Sequence, residues 1–594
     1  MIKEALYHRI DSEFSYFTSD GSVTLRLRTA KDDKIDCTLL YGERYFPGEF
    51  PPFSRVPMKK KGSGLLFDYY EAIIKPGYER LFYLFEISDS TETVWYFQGD
   101  IHDSAIAFRR NRYYQIPFAL REEAYDVPDW AKTAVMYQIF PDSFATGKRF
   151  HSGHAEAYKA FAAGKQLKEK KTQTPQGISK SLHGGTFKGI TENVEWIKDL
   201  GINCVYLNPI FSAVSYHKYD TNDYKQVDPC FGSDEDFRLL VKTLHENGIR
   251  VVLDGVFNHS GIHFFAWQDI LKNQEKSQYK DWYYDVSFPV KDWHSKYACF
   301  AYVKSMPKLN LANPEAAAYF AEVGAYWIRE YDIDGWRLDV ANEVHKSFWR
   351  TFRTAVRKEK ADALLIGEVW EDAQNWQTYD LFDSAMNYRF TYACIDFIAH
   401  QKMTSKEFGE RFVDMTMRYP QPVSDVQMNL LDSHDVERFL YFCEGNLEKQ
   451  KLAVALQMTL PGMPSIFAGS ERAMNGESER EYRLPFLWPG LTENEAERDA
   501  MTDWYKRLIR LRHETKALTS SDISFIATEN PALLVFSRGI EKGKRVLVVL
   551  NNSNKDCQYA PQISSPLQSM LTKKEVPVGD ILQMPALSVD FFLY

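Results

Sequence analysis

The first part of the chain alternates short apolar runs with breaks of glycine, proline, aspartate and serine. The segment Val23-Thr-Leu-Arg-Leu-Arg28 places apolar side chains at every second position, and residues 80–87 form a second β-rich run. Period-two alternation is typical of strands that bury one face. Residues 1–124 are therefore predicted to form a small antiparallel β-sandwich.

From residue 135 the pattern changes to short apolar runs that alternate with helical stretches, such as residues 191–200, 234–247 and 314–331. This alternation is typical of βα units. Eight units are what a (β/α)8 TIM barrel requires, so residues 125–516 are predicted to fold as one. The eight predicted strands are residues 135–141, 204–211, 250–259, 335–341, 363–370, 379–387, 426–435 and 465–471.

This stretch is longer than a barrel needs, and the excess lies in two places. A polar, lysine-bearing excursion covers residues 153–182, and a long insert of about residues 260–311 is predicted to form an inserted subdomain. After residue 516 the β pattern returns, for example at residues 545–550 and 589–594. Residues 517–594 are therefore predicted to form a C-terminal antiparallel β domain, and the fold class is α/β.

Composition narrows the class of partner. The net charge is −9 with no long basic run, which argues against nucleic acid as a partner. No stretch approaches the ~18 uninterrupted apolar residues of a membrane-spanning helix. Aromatic residues make up 15% of the chain, and their flat apolar faces suit sugar rings and large cores alike.

The cysteines and the N-terminus bear on the compartment. Seven cysteines are an odd set without a CxxC pair, which is typical of reduced thiols in a cytosolic protein. The first ten residues lack the apolar core of a secretory signal. A secreted chain whose signal has been removed would begin in the same way, but a cytoplasmic location is the prediction.

The fourth predicted strand carries the first candidate site residues. It reads Gly335-Trp-Arg-Leu-Asp339, and side chains alternate between the two faces of a strand. Arg337 and Asp339 therefore share one face, while Trp336 and Leu338 point towards the helices. In a barrel of this kind catalytic groups lie at the carboxyl ends of the strands.

Other strands end on polar groups as well. Strand five ends on Glu368, strand seven on His434 and Asp435, and strand three on His259 after Asp254. Because all eight carboxyl ends lie on one rim, three carboxylates are expected to converge there with an arginine and two histidines. For Asp254 we favour a structural task, in which it holds loops through hydrogen bonds.

A retaining glycosidase needs this kind of set. One carboxylate attacks the anomeric carbon, and a second carboxyl about 5–5.5 Å away protonates the leaving oxygen and later activates water. Arg337 would favour the ionised form of Asp339, as a nucleophile requires. Glu368 follows an apolar run, and partial burial there would raise its pKa and suit it as the acid.

Each of these motifs also has a plain structural interpretation. A lone carboxylate at a strand end is more often a helix cap or a surface ion pair, and a lone buried Arg–Asp pair is more often structural. The order of the motifs on successive strand ends is what favours a catalytic site.

In that order the sequence resembles the α-amylase superfamily of retaining glycoside hydrolases over essentially the whole chain. Two segments, Met306-Pro-Lys-Leu-Asn310 and Val340-Ala-Asn-Glu343, are similar to signatures of the neopullulanase, cyclomaltodextrinase and maltogenic amylase subfamily. The N-terminal β domain resembles that subfamily's starch-binding-type module. The other matching segments are residues 201–209, 254–259, 335–339, 367–370, 431–435 and 462–464.

The resemblance implies catalytic roles. Asp339 would be the nucleophile that forms the β-glycosyl enzyme, and Glu368 the general acid and base. Asp435 would hold the 2- and 3-hydroxyls of the distorted sugar, and Arg337 would orient the nucleophile.

The resemblance also implies a set of substrate-binding residues. His259 and His434 would hydrogen-bond the sugar at the reacting subsite, and Tyr219 would be the aromatic platform beneath it. Glu343 and Trp370 fall where the subfamily shapes the acceptor side, which decides between water and a second sugar.

On the donor side, Arg483 aligns with a residue that contacts the neighbouring glucose. Three departures from the family pattern fall near this side. Residues 466–471 replace the more usual Tyr-Tyr/Tyr-Gly-Asp-Glu, Glu479 stands where relatives often have Asp, and His345 takes a position that is commonly Asp. These changes concern donor-side specificity rather than the chemistry.

No cofactor is predicted, because the carboxyl pair performs the acid, base and nucleophilic steps. Relatives often carry a calcium loop after residue 144, but this chain reads Ala145-Thr-Gly-Lys-Arg-Phe150. Hard cations need several oxygen ligands, which Lys148 and Arg149 oppose. The prediction is that the usual calcium ligands are absent from this loop.

The predicted activity is therefore hydrolysis of α-1,4-glucosidic bonds in cyclodextrins, short maltodextrins and pullulan. In the subfamily the N-terminal domain commonly packs over the partner's active site, so a homodimer is predicted. The alternatives are a transglycosylase or an α-1,6-specific enzyme on the same fold, a non-catalytic carbohydrate-binding protein, and a metal-dependent sugar isomerase. The last of these lacks a convincing ligand cluster.

Overall fold

The computed structural model describes residues 1–48, 51–106, 110–147, 168–174, 177–291, 294–491, 494–541 and 544–594. Eight parallel strands form one sheet, ordered six, five, four, three, two, one, eight, seven when counted along the chain. A parallel bridge between Met386 and Met428 joins the sixth strand to the seventh, so the sheet closes into the predicted barrel. The strands are Met136–Ile139, Cys204–Leu207, Arg250–Gly255, Gly335–Leu338, Leu364–Gly367, Ser384–Ala385, Met428–Leu430 and Met463–Phe467.

Each predicted strand overlaps a barrel strand, but the hydrogen-bonded strands are shorter. The sixth is reduced to Ser384–Ala385, and the eighth begins two residues before the predicted start, at Met463. The difference has a common cause at the carboxyl ends. There the polar residues leave the sheet for the loops, whose side chains and not whose main-chain pairing carry the candidate site.

The helices surround the strands, and one of them has the predicted bounds. Helix Pro314–Tyr331 begins after Asn313, whose side chain accepts from two main-chain N–H groups, and it ends at Asp332 in the left-handed conformation. Between strands five and six the chain forms only the short 3-10 helix Gln374–Trp376. None of the described helices combines the length and apolarity needed to cross a membrane. The α-helices are Pro141–Phe144, Phe187–Thr191, Val194–Leu200, Asp234–Glu246, Phe265–Asn273, Pro314–Tyr331, Lys346–Glu359, Tyr388–Cys394, Ser405–Met417, Gln421–Ser424, Phe439–Phe442, Leu447–Thr459, Glu479–Tyr482 and Glu495–Glu514.

The barrel has an outer and an inner apolar layer. Trp327, Trp336 and Trp349 are fully buried in the outer layer, between strands and helices. Burial of each such side chain contributes up to about 3 kcal/mol. The inner layer inside the ring includes Met136, Cys204, Tyr206, Val252, Leu364, Ile366, Met386, Met428, Leu430 and Met463. This inner plug supports the polar groups at the rim.

Both ends of the chain are antiparallel β structure, as predicted. The N-terminal part contains a four-stranded and a six-stranded sheet, and the C-terminal part a six-stranded sheet with a separate two-stranded one. The predicted boundaries at residues 124 and 516 remain predictions. The N-terminal strands are Ser15–Phe17, Val23–Ala30, Asp36–Glu43, Ser54–Pro57, Lys59–Ser63, Phe67–Ile74, Leu81–Ser88, Thr93–Phe97, Asp100–His102 and Tyr114–Ile116, and the C-terminal ones are Ile523–Ile526, Leu533–Arg538, Val546–Asn551, Cys557–Tyr559, Leu567–Ser569, Glu575–Val576, Leu582–Met584 and Ser588–Leu593.

The insert after the third strand returns to the rim of the barrel. It contains helix Phe265–Asn273 and then loops, and a bridge pairs His259 with Lys308. Much of the predicted excursion at residues 153–182 lies outside the described residues. Its described part is an antiparallel hairpin of Lys170–Thr174 and Gly177–Ser181.

Two buried arginines join the barrel to the C-terminal sheet. Arg512 donates to the main-chain oxygens of Met458 and Gly462 at 2.9 and 2.6 Å. Arg538 donates to the main-chain oxygens of Thr459, Ser520 and Asp522. Helix Leu447–Thr459 ends here, so both guanidinium groups face its negative end. Burial lowers the pKa of Arg538 to about 9.

Replacement of Arg538 by methionine is expected to lower thermal stability. The change keeps most of the apolar stem but leaves three main-chain carbonyls without their donor, at about 1–3 kcal/mol for each one that stays dry. Differential scanning calorimetry should show a midpoint lower by at least about 2–4 °C. Arg538→Lys, which keeps one donor group, should fall between the two. An unchanged midpoint for the methionine variant would contradict this account of the junction.

Candidate active site

Arg337 lies at the centre of the rim and is fully buried. Its Nη1 donates to Asp339 Oδ1 at 2.9 Å and to Asp254 Oδ1 at 2.9 Å. Its Nη2 lies 2.6 Å from Glu368 Oε1 and 3.9 Å from Asp435 Oδ2. One guanidinium therefore contacts three carboxylates and faces a fourth, and the predicted convergence of strand ends is what the structure shows.

The barrel strands explain how these groups come together. Arg337 and Asp339 point inwards, while Trp336 and Leu338 belong to the outer apolar layer, as strand alternation predicts. Strand five brings Glu368 alongside because its main-chain N–H donates to Leu338 O at 2.9 Å.

The nucleophile candidate is followed by a residue in an unusual conformation. Val340 has φ +45°, in the left-handed region that β-branched residues rarely adopt. In this conformation its N–H donates to Glu368 Oε2 at 2.9 Å. The Trp370 indole N–H donates to the other oxygen, Oε1, at 3.1 Å. Both oxygens of Glu368 are thus held by neighbours, and the local strain at Val340 serves that arrangement.

The carboxylates at the rim have opposite electrostatic environments. Burial, followed by the negative charge of Glu368, raises the pKa of Asp339 well above its usual range, and Arg337 opposes this shift. The prediction that Arg337 would set the ionisation of Asp339 is therefore wrong, because burial and the second carboxyl outweigh one cation. Burial also disfavours the charged form of Asp435, but His434, Arg337 and Arg483 together lower its pKa below the usual range.

His434 and Tyr219 form a stacked pair beside Asp435. Their ring centroids are 5.6 Å apart and their planes differ by 6°, and the Tyr219 hydroxyl hydrogen-bonds His434 Nε2. His434 Nε2 also lies 3.0 Å from Asp435 Oδ2. The Tyr219 hydroxyl donates to Asp254 Oδ2 at 2.9 Å, so the predicted sugar platform is fixed to the carboxylate cluster.

His259 lies on the other side of this group. Its Nε2 donates to the main-chain oxygen of Tyr219 at 3.2 Å, and its ring lies 5.0 Å from that of Phe300 in the insert. Burial lowers the pKa of His259 to about 3. The imidazole is therefore uncharged over the range in which most enzymes work.

The three outer predicted residues lie around the same opening. Arg483 donates to the main-chain oxygen of His434 at 2.7 Å and to Asp435 at 3.2 Å. Trp370 is 38% exposed and stacks on Tyr388 with centroids 4.3 Å apart. All ten predicted site residues therefore belong to one connected rim.

Glu343 has a partner that sequence reasoning missed. Its carboxylate lies 3.0 Å from the ammonium group of Lys308, which also donates to the main-chain oxygen of Glu343 at 3.2 Å and to Asn258 Oδ1. The available signal was Met306-Pro-Lys-Leu-Asn310, which the sequence analysis used only to assign a subfamily. Asp254 does hold neighbours by hydrogen bonds, as predicted, but it also touches Arg337 directly.

Two further polar residues inside strands were also missed. Gln138 and Asn208 are 1% and 0% exposed and stand between Asp254 and His434. The signal for Gln138 was an amide inside the otherwise apolar first strand, Met136-Tyr-Gln-Ile139.

Metal and thiol chemistry finds little support here. Within the described part of the chain no group of three His, Cys, Asp or Glu side chains could hold a metal ion. Lys148 and Arg149 lie outside the described residues, so the prediction for the calcium loop stays a prediction. All seven cysteines are free, with Cys230, Cys299 and Cys557 partly exposed rather than buried.

Replacement of Asp339 by asparagine is expected to stabilise the fold. The pKa of Asp339 is raised by folding, so its contribution to stability is present at low pH and is lost as the pH rises through the folded-state value. Removal of this charge should raise the thermal midpoint at pH 7–8 by about 2–4 °C, with the gain vanishing near the ordinary carboxyl pKa of about 4.

Asp435→Asn is the matched control with the opposite sign. Because folding lowers the pKa of Asp435, its ionised form stabilises the protein above the ordinary carboxyl pKa, and that stability is lost as the pH falls. Asp435→Asn should therefore lower the midpoint at pH 7–8. Shifts of the same sign in both variants would contradict the proposed electrostatics.

Comparison with known proteins agrees with this architecture. Residues 138–507 match the catalytic domain of α-amylase, and residues 1–120 match the N-terminal Ig-like domain of α-amylase. A cyclomaltodextrinase of Geobacillus thermopakistaniensis is 39% identical over 96% of this chain and 94% of its own. Neopullulanase 2 of Thermoactinomyces vulgaris is 39% identical over 93% of this chain and 91% of its own.

A solved structure agrees as well. A cyclomaltodextrinase superposes with a TM-score of 0.89 at 34% identity, covering all of both chains. The family match spans more than half of the sequence, and the relatives share its full domain organisation. The chain therefore belongs to the α-amylase family of glycoside hydrolases, in the group that contains cyclomaltodextrinases, neopullulanases and maltogenic amylases.

Proposed function

We propose that this enzyme is a retaining hydrolase of α-1,4-glucosidic bonds in cyclodextrins, short maltodextrins and pullulan. The observation that carries the proposal is the single buried guanidinium of Arg337, which contacts both Asp339 and Glu368. A retaining mechanism needs two carboxyl groups held close together, and one planar fork between them fixes their relative position.

In the first step, an oxygen of Asp339 attacks the anomeric carbon, and the bond to the leaving oxygen breaks. Glu368 gives its proton to that oxygen, so the acceptor sugar leaves as a neutral alcohol. In the second step the ionised Glu368 takes a proton from water, whose oxygen displaces Asp339 from the anomeric carbon. Two displacements retain the configuration.

The remaining rim residues hold the sugar. Asp435, kept ionised by its neighbours, would accept hydrogen bonds from two hydroxyls of the distorted ring. His259 and His434 would bind the same ring, and Tyr219 would lie beneath it. Arg483 would contact the next glucose on the donor side.

Transglycosylation is the second candidate function, and the acceptor side favours it. Trp370 is partly exposed and stacks on the buried Tyr388, which offers a flat apolar surface to an incoming sugar. Glu343 lies on the same side but is paired with Lys308. A sugar bound on this surface would compete with water for the glycosyl enzyme.

Oligomeric state, location and cofactor use are also proposals. A homodimer in which the N-terminal sheets cover the partner's cleft would narrow the cleft and favour short or cyclic substrates. The free cysteines support a reducing, cytoplasmic location. The carboxyl pair itself supports chemistry without a cofactor.

Glu368→Gln is expected to reduce hydrolysis of natural glucans by at least about 10²–10⁴-fold, because no acid remains for a poor leaving group. An α-glucosyl fluoride needs no such acid, so it should still react and leave a labelled sugar on Asp339 that peptide mass spectrometry can locate. Asp339→Asn is the matched control and should carry no label. Near-wild-type hydrolysis by Glu368→Gln, or a label on another residue, would refute the assignment.

Substrate choice is tested by one panel of β-cyclodextrin, maltotriose, pullulan and soluble starch, with products identified by chromatography. A narrow cleft should give faster attack on the cyclic and short substrates than on starch. Sedimentation at micromolar concentration should show the dimer in the same buffer. A preference for starch, together with a monomer, would contradict the narrow-cleft proposal.

A further inference from the structure

His259 lies at the end of a short chain of polar groups that begins at a lysine. The ammonium group of Lys308 can only donate hydrogen bonds, so the atom of Asn258 that faces it must be the amide oxygen. This places the amide nitrogen of Asn258 towards His259 Nδ1, at 3.2 Å. An amide nitrogen only donates, so Nδ1 must accept and cannot carry the proton.

His434 lies at the end of a similar chain that begins at a carboxylate. Asp254 Oδ2 can only accept, so it orients the amide nitrogen of Asn208 towards itself, at 3.3 Å. The oxygen of Asn208 then accepts from Gln138 Nε2 at 2.9 Å. The same Gln138 Nε2 lies 2.7 Å from His434 Nδ1, which must again accept.

We infer that these two chains hold both active-site histidines in the neutral form with the proton on Nε2. The amides of Asn258, Asn208 and Gln138 are thereby positioning residues for glucan hydrolysis. This inference rests on the proposed function for its catalytic meaning, but the protonation pattern itself stands on the geometry alone.

The opposite nitrogen of each ring gives an independent check. His259 Nε2 faces the main-chain oxygen of Tyr219, which only accepts. His434 Nε2 faces Asp435 Oδ2, whose pKa is lowered so that it too accepts. Both ends of each ring therefore require the same tautomer. Burial, which lowers the pKa of His259 to about 3, excludes the charged form of that ring at neutral pH.

The neutral Nε2–H form suits the proposed chemistry. The transition state of glycoside hydrolysis carries positive charge on the sugar ring. An imidazolium beside that ring would repel it, whereas a neutral N–H still donates to a hydroxyl. In the other neutral tautomer the Nε2 lone pair would face an acceptor oxygen, and the ring would lose its orientation.

The first test is ¹⁵N NMR of histidine-labelled protein, full chain, with no substrate. The 14 histidines can be assigned by His259→Gln and His434→Gln variants. We expect both rings to show an unprotonated Nδ1 and a protonated Nε2. A protonated Nδ1 on either ring would overturn the inference for that chain. Because this measurement needs no turnover, an inactive wild-type enzyme would refute the proposed function without affecting the result.

The second test is Asn258→Asp, which keeps the shape and the contact with Lys308. Its carboxylate can only accept, so it should draw a proton onto His259 Nδ1. We expect the NMR signature to invert and kcat to fall by about 10–100-fold with little change in KM. Asn258→Leu is the matched control, since it removes the link without reversing it. A purely structural role predicts that leucine is the more damaging change for both stability and kcat, whereas the inference predicts that aspartate has the lower kcat.

An Asn258→Asp enzyme with the wild-type tautomer and kcat would overturn the role of Asn258. Gln138→Glu and Gln138→Met form the corresponding pair for His434. Here too the acid should invert the ring and give the lower kcat, and the opposite order would refute the second chain.

Discussion

The active site depends on one buried cation among four carboxylates. Arg337 has no exposure to solvent, and its guanidinium contacts Asp254, Asp339 and Glu368. Burial alone would disfavour the charge, but the surrounding anions raise the pKa of Arg337 well above its usual value. Without this cation, three neighbouring carboxylates in a dry pocket would take up protons rather than stay charged. The planar fork also sets their geometry, which a point charge could not do.

The same cluster shows why catalysis costs stability. Asp339 must be ionised to act as a nucleophile, yet burial and Glu368 favour its protonated form. Asp435 sits a few ångströms away with the opposite tendency, because two arginines and a histidine surround it. Charge is thus distributed unevenly within one site. Two carboxyls share the tendency to hold a proton while a third stays charged, and this separation lets one group act as acid and another bind hydroxyls.

Much of the architecture could be predicted from the sequence, because the signals are local. Strand alternation placed Arg337 and Asp339 on one face, and the Asn-Pro start of helix Pro314–Tyr331 fixed its first turn. The sixth strand was overestimated, since apolar residues around Ser384–Ala385 pack without pairing. Local patterns cannot distinguish a hydrogen-bonded strand from a buried loop that continues it.

What the sequence could not show are contacts between distant segments. Lys308 lies in a recognised motif, but its contacts with Asn258 and Glu343 exist only because the insert folds back to the rim. The ionisation of Asp339 was mispredicted for the same reason, since the depth of burial is a property of the closed barrel.

The polar chains behind the histidines show how a barrel can make chemistry precise with flexible side chains. An amide can turn by 180° at little steric cost, so a lone asparagine or glutamine does not determine where a proton lies. An amide next to a group that only donates, or only accepts, loses that freedom, and it passes the constraint to its next neighbour. Lys308 and Asp254 are such fixed ends, each held by other contacts on the rim. The proton position at a sugar-binding nitrogen is then set two or three groups away, by residues that never touch the substrate.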